Sequence, residues 1–322
     1  MTQYIIILLD DTLVSFCYYA NTRQERRLMP LDTLRQGIRY AMKENLNIQF
    51  VYPHYDLPQE YLDAIDSIDH TDIRPACTNA EADVVVLDGM EQASACTLTK
   101  GVAYVLRTDR HSLTAHVQGI CAMLDQVERL NIVITDVEKF TDQDTVEYSD
   151  TLQTLANKVE KCYLAGNAVQ LNLLTDRMVL DKMNNCGAGD TTITLAPDGR
   201  FYICPAFYLT SDQDALGTLK GSVGSLQNGL DIKNRQLYKL DHAPICRHCD
   251  AYQCRRCVWL NRRMTLEVNT PSHEQCVMTH LERNVSRSLL ARLRKHGEFL
   301  PERGDIEEIS YLDPFELRKE WK

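Results

Sequence analysis

The feature that most constrains this chain is the run of thiols between Cys186 and Cys276. It opens with Cys186-Gly-Ala-Gly, continues through Gly199 to Cys204, resumes as Cys246-Arg-His-Cys249 and Cys254-Arg-Arg-Cys257, and closes at Cys276. Seven of the twelve cysteines lie in this stretch, under a third of the length. Paired C-x2-C spacing is what lets one turn aim two thiolates at one metal. Core packing scatters cysteines and does not pair them, so this segment is expected to fold around metal. Seven thiols suit one tetrahedral zinc with three to spare, or one four-thiolate iron–sulfur cluster plus a second that lacks a ligand. Spacing alone favours zinc.

The first half of the run shifts that balance. A strand-like Thr191–Leu195, a Pro-Asp-Gly turn and a second strand Arg200–Ile203 read as a β-hairpin with a thiol at each end. The arrangement resembles the SPASM domain, the auxiliary iron–sulfur module that follows the catalytic barrel of many radical SAM peptide-modifying enzymes. That module's pattern is C-x(9–15)-G-x4-C, then C-x2-C-x5-C-x3-C, then a last C. Cys186-x12-Gly199-x4-Cys204 meets its first half, while the spacers before Cys254 and Cys257 are each one residue short. The resemblance implies two [4Fe-4S] clusters. Cys246, Cys249, Cys254 and Cys276 would complete one, and Cys186, Cys204 and Cys257 would give three ligands to the other. The fourth position of that second site falls to Cys162, Asp181 or Asp190, to water, or to a thiol of a bound peptide. His242, His248 and His273 lie among these ligands and read as supporting or surface groups. Cys17, Cys77, Cys96, Cys121 and Cys162 read as small buried core residues.

At 322 residues the chain suits one large or two modest domains. A net charge of −10 without a sustained basic block argues against nucleic acid as a partner. The cations Arg255, Arg256, Arg262 and Arg263 fall beside the thiols, where they would offset a negative metal–thiolate centre. The apolar run near the N-terminus is too short for a signal peptide or a membrane span. Twelve cysteines without an export signal point to reduced thiols in a cytoplasm.

Periodicity predicts alternating strands and helices upstream of the thiols. Strands are expected over Tyr4–Leu9, Leu13–Tyr19, Ile48–Tyr52, Asp83–Leu87, Val102–Leu106, Asn131–Thr135 and Val169–Leu174. Helices are expected over Leu31–Asn45, Pro58–Ile68, Ser112–Leu130 and Thr145–Leu164, with another over His280–His296. Such alternation implies parallel strands joined by crossover helices, either an open sheet or a partial barrel. Four or five units fill residues 1–175, fewer than the eight of a closed barrel. The expected organisation is therefore an α/β domain over 1–182, a small Cys-rich α+β module over 183–280, and a C-terminal helix with a charged tail over 281–322. Asp10, Asp11, His54, Tyr55, Asp88 and Asp136 fall at strand ends, where parallel α/β folds place active-site groups. Turn and cap duty is the commoner use of such residues.

The order of parts resembles that of radical SAM peptide maturases, so the first domain would be a degenerate barrel of that kind. Their barrel carries C-x3-C-x2-C after its first strand, three thiolates that hold the cluster binding S-adenosylmethionine. Here the same region holds Cys17 alone, and Phe50-Val-Tyr-Pro-His-Tyr55 stands where that family has Gly-Gly-Glu-Pro. Radical cleavage of S-adenosylmethionine by that mechanism is therefore not expected. The opening Tyr4-Ile-Ile-Ile-Leu-Leu-Asp-Asp-Thr-Leu-Val-Ser-Phe-Cys17 and the stretch Gln49 to Tyr61 resemble the CXXX repeat peptide maturases. That likeness implies a cysteine-rich precursor peptide as partner, and a role in its modification either directly or beside a true radical enzyme. A zinc-stapled scaffold is the alternative.

Overall fold

The computed structural model describes residues 2–76, 82–184, 186–210 and 221–307. The chain opens with β1 (Tyr4–Leu8), α1 (Leu31–Lys43), β2 (Asn47–Val51), α2 (Gln59–Ile65), β3 (Thr71–Pro75) and β4 (Val84–Asp88). It continues through α3 (Met90–Ala95), β5 (Ala103–Thr108), α4 (Arg110–Ala115), α5 (Val117–Met123), β6 (Arg129–Ile134), α6 (Asp142–Leu164), β7 (Gln170–Leu171) and α7 (Thr175–Val179). The remainder holds β8 (Thr192–Leu195), β9 (Phe201–Tyr202), α8 (Ala206–Leu209), the small ribbon β10 (Gly224–Ser225) and β11 (Gly229–Leu230), α9 (Val258–Thr265) and α10 (His273–Arg294). The architecture is α/β with a mostly parallel set of strands, as the alternation predicted.

Two compact units divide the chain. The first comprises Met1–Val86, Gly187–Ala243 and Cys257–Asn269; the second comprises Leu87–Cys186, Pro244–Arg256 and Thr270–Lys322. In the first unit β1 lies between β2 and β8, parallel to both, with Ile7 opposite Phe50 on one side and Leu195 on the other. β3 and the start of β4 extend the parallel run past β2, and β9 closes the far edge antiparallel to β8. The Ile5-Ile-Ile-Leu8 run explains the position of β1: β-branched residues buried on both faces suit the centre of a parallel sheet. Helix α1 buries Leu34, Gly37, Ile38 and Ala41 on one stripe. Gly37 sets how close that helix comes to the sheet, because a Cβ there would lie 2.5 Å from Leu195 Cδ2.

The expected hairpin forms as β8 and β9. Gly199 takes the turn at φ +75°, while Asp198 accepts from the Arg200 N–H at 3.0 Å and from the Tyr202 hydroxyl at 2.8 Å.

In the second unit β5, β6 and β7 run parallel, and α6 packs against α10, α4 and α5. Leu152, Leu155 and Val159 of α6 and Leu289, Leu290 and Leu293 of α10 are buried, each fully buried Leu contributing about 2 kcal/mol.

Several expected elements are corrected. Leu13–Tyr19 is a loop, not a strand: Asn21 Nδ2 donates to the carbonyls of Asp11 at 2.8 Å and Leu13 at 2.9 Å, and Ser15 Oγ accepts from the Asn21 N–H at 2.8 Å. Side chains there do the hydrogen bonding that a sheet neighbour would otherwise do. The single helix over Ser112–Leu130 is two short ones. Asp109 caps α4, the chain breaks step at His116, and β6 already begins at Arg129. Only Gln170–Leu171 of the strand expected over Val169–Leu174 pairs, since Thr175 Oγ1 takes the Leu171 N–H at 2.8 Å. Helix α10 starts at His273 and not His280, because Ser272 and Gln275 form a capping box there. Strand β3 and helices α3 and α9 carry no clear periodic signal.

Candidate metal centre

In the second unit the segment Pro244–Arg256 carries three of the thiols and α10 carries a fourth. The Cys246–Cys249 knuckle closes with the Cys249 N–H donating to the Cys246 carbonyl at 3.0 Å. Two further backbone N–H groups point at sulfur: Ala251 donates to Cys249 Sγ at 3.5 Å and Arg256 to Cys254 Sγ at 3.3 Å. The Cys254 N–H in turn donates to the Asn184 carbonyl at 3.4 Å. On α10, Cys276, Thr279, His280 and Arg283 recur at helical spacing on one buried stripe. Thr279 Oγ1 accepts from the Arg255 N–H at 3.5 Å, and His280 Nε2 lies 3.5 Å from Cys249 Sγ.

Burial dominates the titration of these thiols. It pushes Cys254 up to about 12, with the neighbouring Cys246 and Cys249 adding to the rise. It pushes Cys246 up to about 11 against the pull of the Arg256 guanidinium. Cys249 rises for the same reason, opposed by the Ala251 N–H, Arg283 and Arg177. Such thiols keep their protons until a cation replaces them.

The cations around them are buried too: Arg177, Arg256 and Arg283 are 6%, 2% and 1% exposed. Arg283 pairs with Asp250, and the Arg177 guanidinium lies 4.3 Å over the Tyr252 ring. Desolvation lowers the Arg177 pKa. Arg255 departs from its expected role beside the thiols. It pairs with buried Glu282 and bonds the Tyr148 hydroxyl at 2.8 Å, while that hydroxyl also donates to Glu282. The triad ties α6, the thiol segment and α10 together. Arg262 donates to the Leu266 carbonyl and Arg263 lies 5.3 Å over the Trp259 ring.

The donor chemistry fits a metal–thiolate group: soft sulfur donors, N–H groups aimed at two of the sulfurs, and guanidiniums placed to offset negative charge. Among the described residues, no group of three or more His, Cys, Asp or Glu side chains stands close enough to hold a metal ion.

The other predicted ligands are divided between the units. Cys204 follows β9 and Cys257 precedes α9 in the first unit, both half-buried, while exposed Cys186 belongs to the second. Cys162 is a buried residue of α6 whose Sγ lies 3.9 Å from the Leu124 carbonyl and 3.8 Å from Asp125 Oδ1, and Cys121 is buried as well. Cys17 and Cys96 are half-buried, and Cys77 lies outside the described residues. Asp181 pairs with Arg303 at 3.7 Å, and the Asp190 carbonyl accepts from Arg235. His242, His248 and His273 are exposed.

The strand-end candidates are occupied structurally. Asp10 is fully buried and accepts from Thr12 Oγ1 at 2.6 Å and the Tyr55 hydroxyl at 2.7 Å. Asp11 accepts from the Tyr208 hydroxyl at 2.6 Å and from Arg23 at 3.1 Å. Arg26 stacks 3.4 Å over the Tyr55 ring, whose hydroxyl is pushed up to about 12 by burial and by its bond to Asp10. Asp88 pairs with Arg107 at 2.7 Å, Asp136 pairs with Arg110, and His54 is exposed.

Sequence reasoning missed His280, Glu282, Tyr148, Arg177 and Arg283. For His280 a signal existed: it falls one helical turn after Cys276, downstream of the Ser272–Gln275 capping box.

No family model and no curated protein matches the chain. Among solved structures it is similar to native anSMEcpe with bound AdoMet and the Cp18Cys peptide, at 14% identity and a TM-score of 0.57, covering 92% of this chain and 100% of that one. Native anSMEcpe with bound AdoMet and the Kp18Cys peptide aligns at 13% identity and TM-score 0.57, over 90% of this chain and 99% of that one. Hexahistidine-tagged anSMEcpe with bound AdoMet gives 13% and 0.56, over 91% and 98%. Identities this low establish a shared fold.

Proposed function

We propose that the chain is a metal–thiolate protein of a ribosomal peptide maturation system, binding a cysteine-rich precursor and taking part in its modification. The observation that carries this reading is the partly buried thiol segment of the second unit, where Cys246, Cys249 and Cys254 sit among Arg177, Arg256 and Arg283. Arg283 is already paired with Asp250, and a metal held by several thiolates would supply further negative charge beside Arg177 and Arg256. Cys246, Cys249, Cys254 and Cys276, all of the second unit, would hold the centre. Iron–sulfur clusters and zinc both suit these donors.

A peptide partner is supported by the fold, which is that of a protein crystallised with the Cp18Cys peptide. The proposed organisation keeps an α/β domain over 1–182, a SPASM-like module over 183–280 and a C-terminal segment over 281–322. No helix among the described residues is long and apolar enough to cross a membrane, and a cytoplasmic setting would keep the thiols reduced. The test is an anaerobic preparation analysed for metal and titrated with a peptide bearing cysteine at every fourth residue. Bound metal and a spectral change that vanishes with the serine peptide are expected. A metal-free protein, or one blind to the peptide, would overturn the reading.

A further inference from the structure

Arg177 of α7 is 6% exposed, yet it makes no hydrogen bond and no ion pair among the described residues. Other buried arginines of the second unit are answered by acids, Arg255 by Glu282 and Arg283 by Asp250. Arg177 has only the Tyr252 ring, 4.3 Å from its guanidinium carbon. Its Nε is cut off from solvent as well. The same guanidinium lines a cavity of about 460 Å³ within the second unit, together with Asp250, Tyr252 and the segment Glu302–Glu307. That volume suits a small ligand or one residue of a peptide. We propose that this cavity binds a carboxylate that also carries an ammonium group, an amino acid either free or at the C-terminal end of a peptide. No cysteine is among the lining residues, and the inference goes beyond the metal-centre reading without depending on it.

The argument starts from what a stacked guanidinium recognises. The ring covers one face and leaves the in-plane N–H donors, a fork that matches the oxygens of a carboxylate or a phosphate. Asp250 does not fill that role. Its pull on Arg177 is outweighed by desolvation, and it is already paired with Arg283. The rest of the lining decides between the two anions. Asp181, Glu302, Asp305 and Glu307 all line the cavity and are exposed. Arg303 answers Asp181 and Arg294 answers Asp305, whereas Glu302 and Glu307 have no ion pair among the described residues. Such a lining repels the double charge of a phosphate and attracts a cation. A ligand with one carboxylate and one ammonium satisfies both: Arg177 takes the first and the glutamates take the second.

The full chain is titrated calorimetrically at low ionic strength with L-lysine, Nα-acetyl-L-lysine, L-lysinamide, hexanoate and inorganic phosphate. L-Lysine or its Nα-acetyl form should bind at least about tenfold tighter than L-lysinamide, which lacks the carboxylate, and hexanoate, which lacks the ammonium. The Nα-acetyl form, whose α-amine is blocked as in a chain, tells the two sources apart. Tight binding of it places the residue at a peptide end, and binding of L-lysine alone places it free. Arg177→Lys keeps the buried charge and loses the fork, so it should weaken the lysine ligand about tenfold with metal content unchanged. The ligand series on the wild-type chain is decisive even if the variant fails to fold. No binding of either lysine compound, equal binding of L-lysinamide or hexanoate, or tighter binding of phosphate would overturn the proposal. So would an Arg177→Lys chain that binds the lysine ligand unchanged. None of these results touches the metal centre, which elemental analysis of the same preparation reports separately.

Discussion

Asp10 and Asp11 at the end of β1 are buried and Cys249 and Cys254 in the second unit half-buried, and the two sets of polar groups are surrounded differently. Each aspartate meets hydroxyl or guanidinium donors on this chain: Thr12 and Tyr55 for Asp10, Tyr208 and Arg23 for Asp11. Its charge is answered within the fold, and the first unit is complete at that point. Around the thiols the arrangement differs: Arg283 pairs with Asp250 and Arg177 lies over the Tyr252 ring, with Arg256 buried beside sulfurs whose pKa values burial raises. The lesson concerns how buried charge is read. A buried acid with near donors marks a structural latch, while thiols set among guanidiniums are the donors that the proposed metal–thiolate centre would use.

The largest expected effect separates the two regions directly. Metal removal by chelation should withdraw on the order of 10 kcal/mol of folding energy from the thiol segment. Amide exchange should then rise steeply over 244–256 and in the first turns of α10, with β1 to β3 still protected. Cys249→Ala should likewise give protease-sensitive protein; unchanged metal content and melting temperature in that variant would sink the assignment.

The pH dependence is next in size. Metal must displace thiol protons that the fold holds with pKa values raised from 9.0 to about 11 at Cys246 and about 12 at Cys254. Affinity should therefore rise with pH, by about tenfold per unit for each thiol deprotonated, as read by competition with a chromophoric chelator. The sign for the metal-free protein is opposite. A raised folded pKa gives stability that is fully present below about 9 and is lost as pH rises towards 12, which thermal melts across that range will report.

Arg256→Gln should weaken metal binding about 10- to 100-fold without abolishing it, in the same competition assay. Asp11→Ala should show the reverse profile: about 1–2 kcal/mol lost from the orphaned Tyr208 hydroxyl and half-exposed Arg23, with metal content unchanged by elemental analysis. If Asp11→Ala lowers metal content, the two regions are coupled and the contrast fails. The smallest expected effect is none. Reduced protein incubated with S-adenosylmethionine should form no 5′-deoxyadenosine above a metal-free control, because the loop between β1 and α1 holds Cys17 alone.

The sequence by itself determined two things about this protein. It determined the α/β alternation, because helix and strand periods are properties of contiguous residues: the Ile5–Leu8 run and the Leu34–Ala41 stripe are visible without neighbours. It also determined the Cys246–Cys249 turn, whose closing hydrogen bond is local geometry, whereas Cys254 and Cys257, at the same spacing, fall in different units. Tertiary structure alone decided the rest. The Leu13–Tyr19 run has strand composition, yet it became a loop once Asn21 and Ser15 supplied hydrogen bonds from within. Arg255 reads as a thiolate counter-ion beside Cys254, but the docking of α6 and α10 delivers Tyr148 and Glu282 to it instead. His280 lies 31 residues from Cys249, and no local pattern sets that contact. Its place is fixed by where the capping box starts α10, and by which face of that helix meets the thiol segment.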